Sequence, residues 1–193
     1  MNKFNRYTEE LDLSALKDFF VQHGRLRHCM KKDFWLRQGE RSRSISFIEK
    51  GSFRCLRMDE SGKEHVVGYA FSGEFLGDYP SFCFDSPALV SLQAMEESSL
   101  YCLSKEDLYA HWERDMDTQR ERGRVAEKLL HVVYQRLLDS YTDTPFEAYT
   151  KLVGAHPELL QKVSLKELAS FLRVTPETVS HIRRKLLHDR GDS

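Results

Sequence analysis

Close to the end of the chain, four hydrogen-bonding side chains recur at helical spacing: Glu177, Ser180, His181 and Arg184. Residues three and four apart share one face of a helix. A helix here would therefore line up a carboxylate, a hydroxyl, an imidazole and a guanidinium. A carboxylate accepts from the amino group of cytosine. A guanidinium donates to guanine or to a phosphate, and a serine or histidine serves either base. Thr175 and Thr178 add hydroxyls in the first turn, and Arg183 and Lys185 flank the stripe as cations for phosphates. The opposite face carries Val179, Ile182 and Leu186, which are core residues by type. The plainer alternative is an ordinary surface helix with a polar outside.

Something must hold that helix. In VSLKELASFLRVTPETVSHIRRKLL, over 163–187, Ser164 is a good N-cap with Glu167 three residues on, the pattern of a capping box. The helix so started would bury Leu168, Phe171 and Leu172. Thr175 caps the next helix, and Pro176 takes its first position, where the missing N–H costs nothing. Only Arg173 and Val174 lie between the two. A turn that short forces a steep crossing, as in a helix-turn-helix. From 161 to 193 there are seven Lys/Arg against four Asp/Glu, a net of +3, so the rest of the chain carries −4. A basic segment on a nearly neutral protein suits a nucleic-acid module, or else a solvated helical face.

Upstream, a long helix is predicted over 116–140. Val125, Leu129, Val132 and Arg136 form one stripe, and Ala126, Leu130, Val133 and Leu137 form a second, one residue along. One stripe can cover a neighbouring domain. The other is expected to meet an identical helix in a homodimer, with Val125, Leu129, Val132 and Val133, drawn from both stripes, as the candidate dimer-helix residues, unless both pack within one chain. YTDTPFE, over 141–147, is polar, holds Pro145 and reads as a hinge; a helix follows from Phe146 to about Gly154.

Residues 8–23 read as a helix with Leu11, Leu16, Phe19 and Phe20 on its apolar face. From Cys29 onward, strand-length apolar runs are punctuated by Gly39, Gly51, Gly62, Gly73 and Gly77, and ESGK makes a hairpin turn. Regularly spaced short strands predict a barrel or jelly roll. The fold class is thus α+β: a sensor barrel over 1–115, a dimerisation helix over 116–140 and an all-α helix-turn-helix domain over 146–193.

The four cysteines, at 29, 55, 83 and 102, have no C-x-x-C spacing, and there is no His-x-His pair among the eight histidines. No zinc or cupin-type metal site is expected, and no nucleophile motif or phosphate loop points to an enzyme. The N-terminal residues have no signal-peptide core, and no run reaches the length of a membrane span. A cytoplasmic protein with reduced cysteines is the expectation.

Taken together, barrel, long helix and helix-turn-helix resemble the Crp–Fnr superfamily of bacterial transcription regulators over nearly the whole chain. The LASFL…VTPETVS…IRRKL wording is most similar to the subgroup common in Bacteroidetes. GEFLGDYPSF, over 73–82, resembles the family's pocket segment G-x-F-x-G-E-x-x-x-F. The resemblance implies double-stranded DNA as partner, a homodimer, contact with RNA polymerase and no membrane. It places the base-reading positions at Glu177, Ser180 and His181, and the ligand pocket at Gly77, Asp78, Tyr79, Ala88 and Leu89.

Three departures matter. The family's pocket Glu is Asp78, and the Arg and Ser/Thr that cyclic-AMP binders set against the cyclic phosphate are Ala88 and Leu89. Losing that charge-assisted contact is worth roughly 1.5–3 kcal/mol, so the effector is left open and cyclic AMP is not expected. With only Cys29 near the N-terminus, an Fnr-type iron–sulfur cluster is not expected either. In the DNA module, Arg173 stands where the family has Gly, and His181 where it has Arg, so the target sequence should differ from the usual sites. Little chain follows for a C-terminal wing. The competing reading is a ligand- or protein-binding barrel whose degenerate helix-turn-helix no longer binds DNA.

Overall fold

The computed structural model describes residues 12–155, 157 and 159–191. Of the predicted first helix, 8–11 lie outside the described residues. The helix α1 spans Ser14–His23, with Leu16 and Phe20 buried. Eight strands follow: β1 (Arg25–Cys29), β2 (Phe34–Leu36), β3 (Ser44–Lys50), β4 (Ser52–Met58), β5 (Glu64–Phe71), β6 (Phe75–Leu76), β7 (Ser91–Ala94) and β8 (Ser98–Ser104). A short helix α2 (Tyr79–Phe84) sits between β6 and β7, and α3 (Lys105–Glu113) follows β8.

The strands make two antiparallel four-stranded sheets, in the orders β1-β8-β3-β6 and β2-β7-β4-β5. Apart from the β4–β5 hairpin, neighbours along the chain fall in different sheets, which is the jelly-roll arrangement. The ESGK turn does close a hairpin, with Met58 paired to Glu64. Side chains alternate across each strand. One face of the first sheet gives Ile48, Leu76 and Leu100, the second sheet gives Leu36, Phe53, Ala70, Leu92 and Ala94, and these meet in one buried cluster. The other face of the first sheet gives Ile45, Phe47 and Leu103, which are covered by Leu16, Phe20, Phe82, Leu108 and Trp112 from the three helices.

Two parts of the sequence reading are corrected here. The strands begin at Arg25, not Cys29: β1 has four exposed residues, so it lacks the apolar run that marks the others. GEFLGDYPSF is not one strand. It breaks at Gly77, where a Cβ would run into the Ile45 side chain. Asp78 then caps α2 by accepting from the Ser81 N–H, with a proline near the start of the helix.

The long helix α4 spans Met116–Thr142. The chain divides into two compact units, one up to Tyr134 and one from Gln135. The second holds α5 (Pro145–Ala155), α6 (Leu159–Lys162), α7 (Leu165–Leu172) and α8 (Pro176–Gly191). Its core is Tyr149, Leu152, Leu159, Val163, Leu168, Ala169, Val179 and Ile182. Among the described residues, no helix is long and apolar enough to cross a membrane.

Candidate nucleic-acid interface and barrel pocket

The α7–α8 pair is built from its caps. The Ser164 hydroxyl accepts from the Glu167 N–H at 3.2 Å, and the Glu167 carboxylate accepts from the Ser164 N–H at 3.0 Å. At the other end, Arg173 adopts φ 57°, ψ 37°. That left-handed step lets the Val174 N–H reach back to the Ala169 carbonyl at 3.0 Å and closes the helix. Thr175 then starts α8: its hydroxyl accepts from the Thr178 N–H at 3.3 Å and its carbonyl from the Val179 N–H at 3.2 Å.

The second helix is split into two faces. Val179 (0% exposed) and Ile182 (5%) are buried. Glu177, His181, Arg184 and Lys185 are exposed, and Thr178 and Ser180 are half-buried beside them. The Glu177 carboxyl is held below the usual range by its own backbone N–H and then by the Thr175 hydroxyl, so it remains an anionic acceptor at neutral pH. Of the first helix, Leu168 and Ala169 are fully buried, whereas Phe171 and Leu172 are half-buried.

Arg183 departs from the expected layout. It is half-buried and turned inward, its Nε donating to the Tyr149 hydroxyl at 3.1 Å, with Nη2 buried and unpartnered among the described residues. The cause is position: Arg183 follows Ile182 on the side of α8 that packs on α5. Lys185 stays exposed, with Nζ 5.1 Å from the centre of the Phe146 ring.

The five barrel residues named from the sequence are not gathered around one cavity. Asp78 is 4% exposed, and both its oxygens are occupied: Oδ1 accepts from the Ser81 N–H at 3.1 Å, Oδ2 from the Leu89 N–H at 2.7 Å. Ala88 is buried in the cluster between the sheets, while Leu89 is 51% exposed. Gly77 and Tyr79 face an apolar crevice of about 100 Å³ under α1 and α4, with Leu16, Phe20, Trp112 and Leu129. Burial, and next the Cys83 thiol, push the Tyr79 hydroxyl up to about 12, so it stays protonated.

On α4, Val125, Leu129 and Val132 are half-covered, whereas Leu130 (70%), Val133 (62%) and Leu137 (50%) are exposed. Among the described residues no group of three or more His, Cys, Asp or Glu side chains is placed to hold a metal ion.

With this geometry in view, residues 26–115 match the family described as "Cyclic nucleotide-binding domain". The cAMP-activated global transcriptional regulator CRP of Salmonella typhimurium is 32% identical over 165 residues, which covers 86% of this chain and 59% of that protein. The chain therefore spans about three fifths of the length of this curated relative. The CRP-like protein Clp of Xanthomonas oryzae is 24% identical over 207 residues, covering 94% of this chain and 87% of Clp. The solved structure of the c-di-GMP responsive global regulator CLP of Xanthomonas campestris superposes with a TM-score of 0.69 at 19% identity, covering 92% and 93% of the two chains. Residues 26–115 thus match a cyclic nucleotide-binding domain, and the chain as a whole is similar in sequence and in fold to regulators of the CRP type.

Proposed function

We propose that this protein is a dimeric, sequence-specific DNA-binding transcription regulator of the cytoplasm, not an enzyme. Its parts are a sensor barrel over 1–115, a dimerisation helix over 116–140 and a DNA-binding domain over 146–193. The observation that carries the reading is the division of α8 into a buried aliphatic face and an outer face bearing Glu177, His181 and Arg184. A recognition helix needs that division: one side seats it in its domain while the other meets base edges in the major groove. Glu177, ionised and exposed, suits a cytosine amino group; Arg184 suits guanine or phosphate. Thr175, Thr178, Ser180 and Lys185 supply further donors along the same surface.

The dimer reading is supported by Leu130, Val133 and Leu137, a row of exposed apolar side chains that an identical helix would cover. Two recognition helices would then sit about one DNA turn apart. RNA polymerase is the expected protein partner of such a regulator. Signal transfer requires a barrel ligand that binds one arrangement of the long helices better than another.

That ligand is not cyclic AMP in our reading. Ala88 and Leu89 offer no cation to a cyclic phosphate, and each oxygen of the Asp78 carboxylate already accepts from a backbone N–H. The second reading, a barrel with a helix-turn-helix that has lost DNA binding, draws on the imidazole of His181 and the non-glycine Arg173 at positive φ. Selection of bound fragments from a random DNA pool separates the two. The regulator yields an inverted repeat with half-sites about 10 bp apart, centre to centre; the alternative yields no enriched sequence.

A further inference from the structure

Outside the barrel, the first unit has a second concavity, an open cleft of about 460 Å³ between α2, α3 and α4. Tyr79, Cys83 and Phe84 line it from α2, Tyr109 from α3, and Gln119, Arg122, Gly123 and Ala126 from α4. Arg122 is its one cationic lining residue. The guanidinium carbon lies 4.5 Å from the Tyr109 ring centre and 5.1 Å from that of Trp112, and Nη2 donates to the Tyr109 hydroxyl at 3.1 Å. It is half-buried, and among the described residues it forms no ion pair with a carboxylate.

That is an uncommon state for a partly buried arginine. Aromatic faces stabilise the cation and fix its plane, but they accept none of its N–H bonds. A fork held rigidly with donors to spare matches a carboxylate or phosphate, and less is lost on binding because the fork is already ordered. The walls around it are of another kind. Phe84 is 80% exposed, and with the Tyr79 ring, Gly123 and Ala126 it offers apolar surface, while Gln119 adds one amide. The Tyr79 hydroxyl also lies within reach of Arg122.

We infer that this cleft is a binding site for a small organic anion, a carboxylate or phosphate head group on an aromatic or aliphatic body, with Arg122 holding the head. The site is separate from the barrel interior and stands whether or not the protein binds DNA.

Isothermal titration of the full chain with phenyl phosphate, benzoate, inorganic phosphate and benzyl alcohol tests it. Phenyl phosphate and benzoate are expected to bind. Inorganic phosphate should be at least several-fold weaker for want of a body, and benzyl alcohol should give no saturable heat. Arg122→Gln should weaken the aromatic anions tenfold or more, with Arg122→Lys between the two, and circular dichroism should show each variant folded. A narrower second variant, Ala126→Leu, fills the cleft without touching the charge and should also weaken binding. The inference is overturned if none of the four binds, or if Arg122→Gln binds phenyl phosphate as wild type does. Weaker self-association of Arg122→Gln together with no anion binding would give the cleft to a second copy of the chain instead.

Discussion

Asp78 and Leu89, eleven residues apart, are joined by a 2.7 Å hydrogen bond from the Leu89 N–H to the Asp78 carboxylate. The same carboxylate caps α2 through the Ser81 N–H. The Asp78 side chain thus ties a short helix to the loop before β7. Asp78→Ala strands one buried and one part-buried donor and should cost about 2–4 kcal/mol. Asp78→Asn keeps an acceptor for one of them and should cost less. Urea unfolding followed by the fluorescence of Trp35 and Trp112, both in this unit, measures it; a loss near zero would contradict the bond's importance. Calorimetry with cyclic AMP should show no micromolar binding.

Arg173 holds φ 57° without being glycine. A Cβ in that region strains the backbone by about 1–2 kcal/mol. Arg173→Gly removes the strain but gives the unfolded chain more freedom, so a net gain of up to about 1 kcal/mol is expected. Arg173→Val, β-branched and with no freedom there, should lose stability. Chemical unfolding followed by helical circular dichroism ranks the three; Val as stable as Gly would contradict the strain.

His111 and Glu121 make stability depend on pH. The His111 ring stacks on Phe19 with centres 3.9 Å apart, and Nε2 lies 3.7 Å from Glu121 Oε2. Burial, then Arg114 and His23, hold His111 below its ordinary value, with Asp115 opposing. The unfolded chain therefore takes up a proton near 6.5 that the native imidazole refuses, and stability falls as pH drops from 6.5 toward the native value. Burial raises Glu121, against Arg124 and Arg114. The native carboxyl then binds a proton above 4.5 while the unfolded one does not, so part of the loss returns as pH falls further. Urea midpoints between pH 7.5 and 5.5 should decline for wild type and decline less for His111→Leu. Parallel declines in the two would show that this histidine is not the cause.

Leu130 and Val133 are 70% and 62% exposed on α4. If an identical helix covers them, Leu130→Glu with Val133→Glu buries two like charges against two more and should give a monomer at micromolar concentration in sedimentation, with helix content unchanged. A wild-type monomer, or a double variant that still dimerises, would contradict the proposed interface.

Much of this architecture could be read from local pattern. The capping box at Ser164 and Glu167, the short strands set off by glycines and the two faces of α8 each depend on a few neighbouring residues, and each is what the structure shows. A second box is equally readable: the Thr144 hydroxyl accepts from the Glu147 N–H and the Glu147 carboxylate from the Thr144 N–H, with Pro145 between, so of the segment 141–147 the first two residues end α4 and the last three open α5. What was not legible depends on partners distant in the chain. Arg183 looked like a phosphate contact because Tyr149, 34 residues away, could not be seen beside it. Asp78 looked like a pocket wall because its acceptor role is settled by where Leu89 returns. β1 was missed because its exposed Arg25, Arg27 and His28 carry no apolar signal, and only pairing with β8 makes it a strand.

The measurement that bears most directly on the central claim is fluorescence anisotropy of DNA from upstream of the protein's own gene, titrated at two salt concentrations with wild type and with Glu177→Ala, Arg184→Ala. Contacts to several phosphates release counterions, so affinity should fall steeply with salt. We predict tight wild-type binding with that slope, and its loss in the double variant while circular dichroism shows the helices intact. Equal and feeble binding by both proteins, with little dependence on salt, would contradict the assignment of the outer face of α8 to DNA.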